Sequence, residues 1–178
     1  RYKDVDGDGI PYRTLPGTRH DKAAFLPRGS GHNELAQYTE DSDQYKTVVD
    51  RLKKKFLTAR REVPQPIVED AGASVGIIAF GSTDGPMREA RDLLKASGID
   101  ADYLRVRALP FAASIREFLT RHARVYVVEQ NRDGQLFHLL RSEWPEFHAK
   151  MRSILHYDGL PIHAGFISQQ LLQQERSV

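Results

Sequence analysis

The run Val75-Gly-Ile-Ile-Ala-Phe80, followed at once by Gly81-Ser-Thr-Asp-Gly-Pro86, decides how the rest of the chain is read. An apolar run without alternation has both faces covered, which is the usual state of a parallel strand with helices on either side. Gly81 supplies a turn. Thr83 or Asp84 then accepts a hydrogen bond from a free backbone N–H, and Pro86 suits the first helical position, where its missing donor costs nothing. The pattern predicts a helix starting near residue 85. Tyr103-Leu-Arg-Val106 and Val125-Tyr-Val-Val128 follow at the spacing of one strand–helix unit each.

Between these runs the helical period returns. Met87–Ser97 buries Ala90, Leu93 and Leu94 and closes at Gly98, a natural position for a left-handed helix stop. Leu109-Pro-Phe111 forms a loop before a helix 113–122 that turns Ile115, Phe118 and Leu119 inward. After the third strand, Glu129-Gln-Asn-Arg-Asp-Gly-Gln135 gathers polar groups where open α/β sheets place their ligands. A helix 135–141, a break at Trp144-Pro145, a second helical piece 146–152, a short strand 153–157 and a last helix 163–175 complete the array. Four strands alternating with helices predict a doubly wound α/β/α sandwich with right-handed crossovers.

Composition narrows the function. With 178 residues the chain holds one well-cored domain and an arm. A formal net charge of only +2 provides no field for nucleic acid. The absence of cysteine excludes disulfides, thiolate metal sites, cysteine-held iron–sulfur clusters and a cysteine nucleophile within this chain, and fits a cytoplasmic protein. No apolar run reaches the roughly 18–20 residues of a membrane span, so no membrane partner is expected. The first residue is Arg1 rather than methionine, so a fragment, a processed product and a trimmed chain are all open.

Residues 1–66 read as an irregular arm with a connecting helix, and 67–178 as the α/β domain. Asp4-Val-Asp-Gly-Asp-Gly9 opens like a calcium loop, but its twelfth position is Leu15, and Pro11 and Pro16 interrupt the helix that must follow. The plain reading is a solvated acidic turn. The arm is rich in Gly and Pro yet carries Tyr12, Leu15, Phe25 and Leu26, so it is expected to be ordered only against the α/β domain or a second copy. From Ser42 to Val63, with Asp41 or Ser42 as cap, Tyr45, Val48 or Val49, Leu52, Phe56, Ala59 and Val63 recur at helical spacing. The other face carries Arg51, Lys53, Lys54, Lys55, Arg60 and Arg61; it is read as solvated, with an anionic partner as the sharper alternative. Pro64 and Pro66 end the helix, and Ile67-Val68 suits a short edge strand.

Catalytic motifs are scarce. Gly81-Ser-Thr83 lacks the Gly-x-Gly-x-x-Gly and Walker patterns, and Asp84 repels a phosphate there. Gly29-Ser-Gly31 has no strand before it and is no nucleophile elbow. The seven histidines show no metal spacing. An independent small-anion or nucleotide-binding module, using Gly81–Thr83 and Glu129–Asn131, remains one reading.

A second reading comes from longer segments. Asp8-Gly-Ile-Pro-Tyr-Arg-Thr-Leu-Pro-Gly17, Arg28-Gly-Ser-Gly-His-Asn-Glu34 with Tyr38-Thr-Glu-Asp41, the Asp50-Arg-Leu-x-x-Lys-Phe56 helix, Tyr126-Val-Val-Glu-Gln-Asn-x-x-Gly-Gln-Leu136 and Tyr157-Asp-Gly-Leu-Pro161 together resemble the C-terminal part of the alpha subunit of 2-oxoacid:ferredoxin oxidoreductases, closest to the 2-oxoglutarate type. The resemblance covers nearly the whole chain. It implies a domain like the C-terminal domain of transketolase, with a mostly parallel open sheet of about five strands, Ile67-Val68 adding an antiparallel edge. It also implies a complex using thiamine diphosphate, magnesium and an iron–sulfur cluster to decarboxylate a 2-oxo acid, reduce ferredoxin and form acyl-coenzyme A. None of these cofactors is expected on this chain, which lacks the pyrimidine-binding part of the subunit and the separate beta subunit; its expected role is structural and non-catalytic. Under this reading Arg28, Gly29, Ser30, His32, Asn33 and Glu34 lie near substrate or coenzyme A, Ser30 and Gly31 standing where some relatives place acids. Arg13, Glu129, Gln130, Asn131 and Gln135 face a neighbouring domain or chain, with capping of helix 135–141 by Asn131 or Asp133 as the alternative for the polar cluster.

Overall fold

In the computed structural model, which describes residues 1–24 and 31–177, Val75–Phe80 is strand β2 and is buried along all but its last residue. It lies at the centre of a five-stranded sheet of order β1-β3-β2-β4-β5, where β1 is Ile67–Glu69, β3 Ala101–Val106, β4 Arg124–Glu129 and β5 Met151–Leu155. β2, β3, β4 and β5 run parallel, and β1 pairs antiparallel with β3 through Ile67↔Arg105 and Glu69↔Tyr103. The expected mixed sheet with an antiparallel edge is therefore present.

Strand alternation divides the core in two. Val75, Ile77 and Ala79 of β2, with Tyr103, Tyr126 and Val128, meet helices α2 (Met87–Ala96) and α5 (Ala164–Glu175) through Ala90, Leu94, Ile167 and Leu171. Ile78, Leu104, Val125 and Val127 point the other way, onto α3 (Ala113–Arg121) and α4 (Gln135–Glu143) through Ile115, Phe118, Leu119, Leu136 and Leu140. This is the three-layer α/β/α sandwich the pattern predicts. Gly76 is required by that packing: a Cβ there sits 2.6 Å from the Phe118 ring, too close for any side chain.

Local boundaries differ where turn chemistry intervened. The helix after β2 begins at Met87, with Pro86 capping it, because Gly81–Asp84 first makes a 3₁₀ turn closed by Gly85 N–H to Ser82 O. Asp84 caps nothing; its carboxylate accepts from the Tyr103 hydroxyl and pairs with Arg105. Leu93 is exposed rather than inward. The piece expected as helix 146–152 is a 3₁₀ segment, Pro145–Lys150, and the following strand starts at Met151, two residues early, because pairing with Val125 of β4 and burial of Met151 and Ile154 set its register.

The chain divides into two compact units, Arg1–Val63 and Pro64–Val178. The first consists of the arm and helix α1 (Ser42–Glu62), whose N-cap Asp41 accepts from the Asp43 and Gln44 amides. The arm packs on α1 itself. Arg51 donates to Gly9 O at 2.8 Å, Thr58 Oγ1 to Asp8 O, and Lys54 pairs with Asp4. Gly9, at φ +84°, lies so close that a Cβ there meets the Lys55 backbone nitrogen at 2.3 Å. The amphipathic reading of α1 is thereby corrected: Val48, Arg51 and Thr58 are buried, while Tyr45, Val49, Leu52 and Phe56 are exposed. Carbonyls of the Gly- and Pro-rich arm need donors, and the polar side of the helix supplies them.

Candidate functional site

The helices that follow β2 and β4 leave on opposite faces of the sheet, so the crevice between the carboxyl ends of these neighbouring strands is the topological switch point. Its lips are Gly81–Asp84 and Glu129–Asn131. Gln130 ties them together: its Nε2 donates to Ser82 Oγ at 3.1 Å and Thr83 Oγ1 at 3.2 Å, and its Oε1 accepts from the Ile162 amide at 3.3 Å. The groups that were to receive a small anion bond one another.

Glu129 is fully buried, and its carboxylate accepts from the amides of Leu136 at 2.8 Å and Phe137 at 2.9 Å and from Asn131 Nδ2 at 2.7 Å. It caps α4, placing a negative group at the positive end of the helix dipole. Asn131 adds a bond from the Gln135 amide, while Asp133 pairs with Arg132 instead. Gln130 and Gln135 remain exposed and Asn131 half-exposed. Around them the end of β2 and the loops after β3 and β5 hold large apolar side chains in the open: Phe80, Leu109 at 57% exposure, Tyr157 at 64% and Leu160 at 69%. Exposed apolar and polar side chains thus stand side by side at this end of the sheet.

Of the arm residues singled out in sequence, Arg28, Gly29 and Ser30 lie outside the described residues. His32 stacks on the Tyr2 ring, centroids 4.2 Å apart, and forms an antiparallel bridge with Tyr38. Asn33 Oδ1 accepts from the Leu35 and Gln37 amides, which closes the turn. Asn33 and Glu34, with Leu35, Gln44 and Thr47, line a cleft of about 290 Å³. Arg13 is exposed, also within the first unit.

Two polar knots escaped the sequence reading. At the amino end of the sheet, opposite the crevice, Asp102 Oδ1 accepts from the Ala71 amide, and Oδ2 from those of Gly72 and Ala73 and from His122 Nε2 at 3.1 Å. Burial pushes this carboxyl up, but the Ala71, His122 and Ala73 hydrogen bonds outweigh it and hold the group below its ordinary value. Asp70, Asp102 and His122 converge closely enough for a metal ion. Three amide donors and the Arg121–Asp70 ion pair already neutralise them, so the donor set fits a structural clasp instead. On α5, Glu175 accepts from Arg124 Nε and Nη2, at 2.5 and 2.6 Å, and from the Tyr126 hydroxyl at 2.6 Å. Arg124 and Tyr126, two apart on β4, share one face, a signal legible in sequence; their partner on α5, about fifty residues away, is not. A further cleft of about 800 Å³ sets Arg88, Arg91 and Lys95 beside Glu69, Asp84, Asp92 and Asp100, charges of both signs that favour no simple anion.

No protein-family model matches the chain. Over 173 residues, 92% of this chain, it is 32% identical to the alpha subunit of 2-oxoacid:ferredoxin oxidoreductase 2 of Aeropyrum pernix, covering 25% of that protein. It is 28% identical over 78% of its length to the corresponding alpha subunit of Saccharolobus solfataricus, covering 22% of it. Among solved structures, 2-oxoglutarate:ferredoxin oxidoreductase from Magnetococcus marinus with 2-oxoglutarate, coenzyme A and succinyl-CoA bound aligns with 97% of this chain and 30% of that one, at TM-score 0.81 and 26% identity. The chain thus spans about a quarter of the length of the curated relatives it matches. In sequence and in fold, this chain is a homologue of a region of the alpha subunits of 2-oxoacid:ferredoxin oxidoreductases.

Proposed function

We propose that this chain serves as the C-terminal structural and assembly part of the alpha subunit of a cytoplasmic, thiamine diphosphate-dependent 2-oxoacid:ferredoxin oxidoreductase of the 2-oxoglutarate type, and that it is inactive alone. The observation that carries the reading is the match over 97% of the chain to the Magnetococcus marinus enzyme, whose structure holds 2-oxoglutarate, coenzyme A and succinyl-CoA. The geometry agrees with a supporting role: the crevice where an α/β sheet takes a ligand is bridged by Gln130, and of the two acids on its lips Glu129 caps a helix while Asp84 is held by Tyr103 and Arg105. With no cysteine, an iron–sulfur cluster held by thiolates has no ligand here; in this reading thiamine diphosphate and magnesium are likewise assigned to the rest of the subunit and to the beta subunit, as the family resemblance implies. When bound there, thiamine diphosphate supplies the carbanion chemistry of decarboxylation.

In this reading Gln130, Asn131 and Gln135 face the neighbouring domain or subunit beside the exposed Phe80, Leu109, Tyr157 and Leu160, and Glu129 fixes the loop that presents the three polar groups; Arg13, in the first unit, is separately assigned to a neighbouring domain or chain. The loop 28–34 reaches toward substrate, Arg28 offering a planar fork to a carboxylate or to a coenzyme A phosphate. The test is Arg28→Ala in the whole complex. Turnover per KM for 2-oxoglutarate or coenzyme A is expected to fall by about 10- to 150-fold, the range for a hydrogen bond to a charged group, at unchanged melting temperature. Unaltered kinetics for both remove the loop from the active site, and a preference for pyruvate over 2-oxoglutarate overturns the substrate class separately.

A further inference from the structure

Helix α1 carries an apolar seam that the described residues of its own unit leave largely exposed, Gly31 of the arm lying beside the Tyr45 ring at its start. Tyr45, Val49, Leu52 and Phe56 are all exposed, Phe56 at 60%, although they recur at spacings of four, three and four. Half-buried Ala59 and Val63 continue the same beat. At 100° per residue these positions fall in a narrow stripe, the geometry of a coiled-coil seam and narrower than the broad face of a helix that lies in a lipid surface. From Tyr45 to Phe56 the seam is about 16 Å long. The flank of the helix on one side is closed by the arm, held there by Arg51 and Thr58. On the other flank stand Lys46 and Lys53, both exposed, Lys46 with Asp50 one turn on.

That charge pattern selects the occupant. A second copy laid antiparallel on the seam sets the Lys46 and Lys53 flank against the same basic flank of its partner, and a parallel copy meets the arm on one side; like charges across such a seam are unfavourable. We propose that the Tyr45–Phe56 seam of α1 is the docking face for a helix of another polypeptide, one whose own apolar four-three stripe is flanked by glutamate or aspartate facing Lys46 and Lys53. The inference does not rest on the enzymatic reading above, since it uses only the helix's own periodicity, exposure and charge.

The probe is a pair of fluorescent designed helices with leucine along the seam, one with glutamate on both flanks and one with lysine, titrated into the 178-residue chain at low and high salt. The glutamate helix is expected to bind about tenfold or more tightly than the lysine helix, with the gap narrowing at high salt. Leu52→Asp and Phe56→Asp, at exposed positions that leave the fold intact by circular dichroism, are each expected to weaken it by about tenfold or more. Lys46→Glu with Lys53→Glu is expected to reverse the preference between the two helices. Equal binding of both helices, or binding indifferent to Leu52→Asp, overturns the proposal. So does a dimer in sedimentation that Leu52→Asp dissolves, which assigns the seam to a second copy, or Leu52-dependent binding to anionic vesicles, which assigns it to lipid.

Discussion

Truncating Glu129 to alanine is expected to cost the α/β unit about 3–5 kcal/mol. The buried carboxylate accepts from the Leu136 and Phe137 amides, and those donors have no helical partner of their own in the first turn of α4. Stranding one such N–H costs about 1–3 kcal/mol, so the two together about 2–6, of which about 3–5 is the middle; the roughly 0.5–2 kcal/mol of a lost N-terminal cap is contained in this because the cap is one of those bonds. Glu129→Gln keeps one acceptor but turns an NH₂ toward a backbone donor, so about half that loss is expected. The sole tryptophan, Trp144, is buried in the same unit against Phe111 at the end of α4, and its fluorescence in urea reports the unit's unfolding directly. At about 2–4 °C per kcal/mol, the alanine variant's melting point is expected to fall by roughly 10 °C. Asp133→Ala, at an exposed carboxylate paired with Arg132, serves as the control and should stay within about 0.5 kcal/mol. An alanine variant within that same margin refutes the capping argument. The assembled complex then separates capping from partner contact: stability lost with subunit affinity kept leaves Glu129 as a cap, whereas affinity lost in the Gln variant beyond its stability loss points to a direct contact.

Acidification should weaken the α/β unit through Glu175 and Asp102. The Arg124 hydrogen bonds hold Glu175 below its ordinary value of 4.5 against the opposing effect of burial, and the Asp102 carboxyl also lies below its ordinary 3.8. Both are depressed in the folded state, so their stabilisation is complete above about pH 5 and is lost as pH falls through the folded values. The urea midpoint of Trp144 fluorescence should therefore drop between pH 5 and pH 3, less steeply in Glu175→Gln, and an unchanged midpoint contradicts it. In the other unit, Gly9→Ala drives a Cβ into the Lys55 backbone at a φ that disfavours any side chain, so the arm should lift from α1. Tryptic cleavage at Arg13 and Arg19 is expected to accelerate by about tenfold, a protection loss of about 1.4 kcal/mol, while rates equal to the parent chain's show that the arm is held by something else.

Much of the α/β unit was legible because its signals are local. Continuous apolar runs at Val75–Phe80 and Val125–Val128, a three-to-four beat at Ile115, Phe118 and Leu119, and Gly98 at a left-handed stop each report on a few neighbouring residues, and strand–helix alternation leaves few topologies. Ile67-Val68 was legible as a short edge strand and the family resemblance implied its antiparallel sense, but the order β1-β3-β2-β4-β5 is a finding of the structure alone. The sequence by itself also determined what this chain cannot do, since a chain without cysteine has no thiolate to offer a cluster. Only the tertiary structure decided where the polar groups go. Gln130 bonds hydroxyls almost fifty residues away, and Asp102 binds three amides of a loop that precedes β2, so neither choice is written in local spacing. The same holds for α1. Its periodicity marks an apolar stripe, yet Arg51 and Thr58 of its polar side are buried under the arm while Lys53, Lys54 and Lys55 stay exposed, because an arm carbonyl deprived of water needs a donor more than an exposed apolar side chain needs cover.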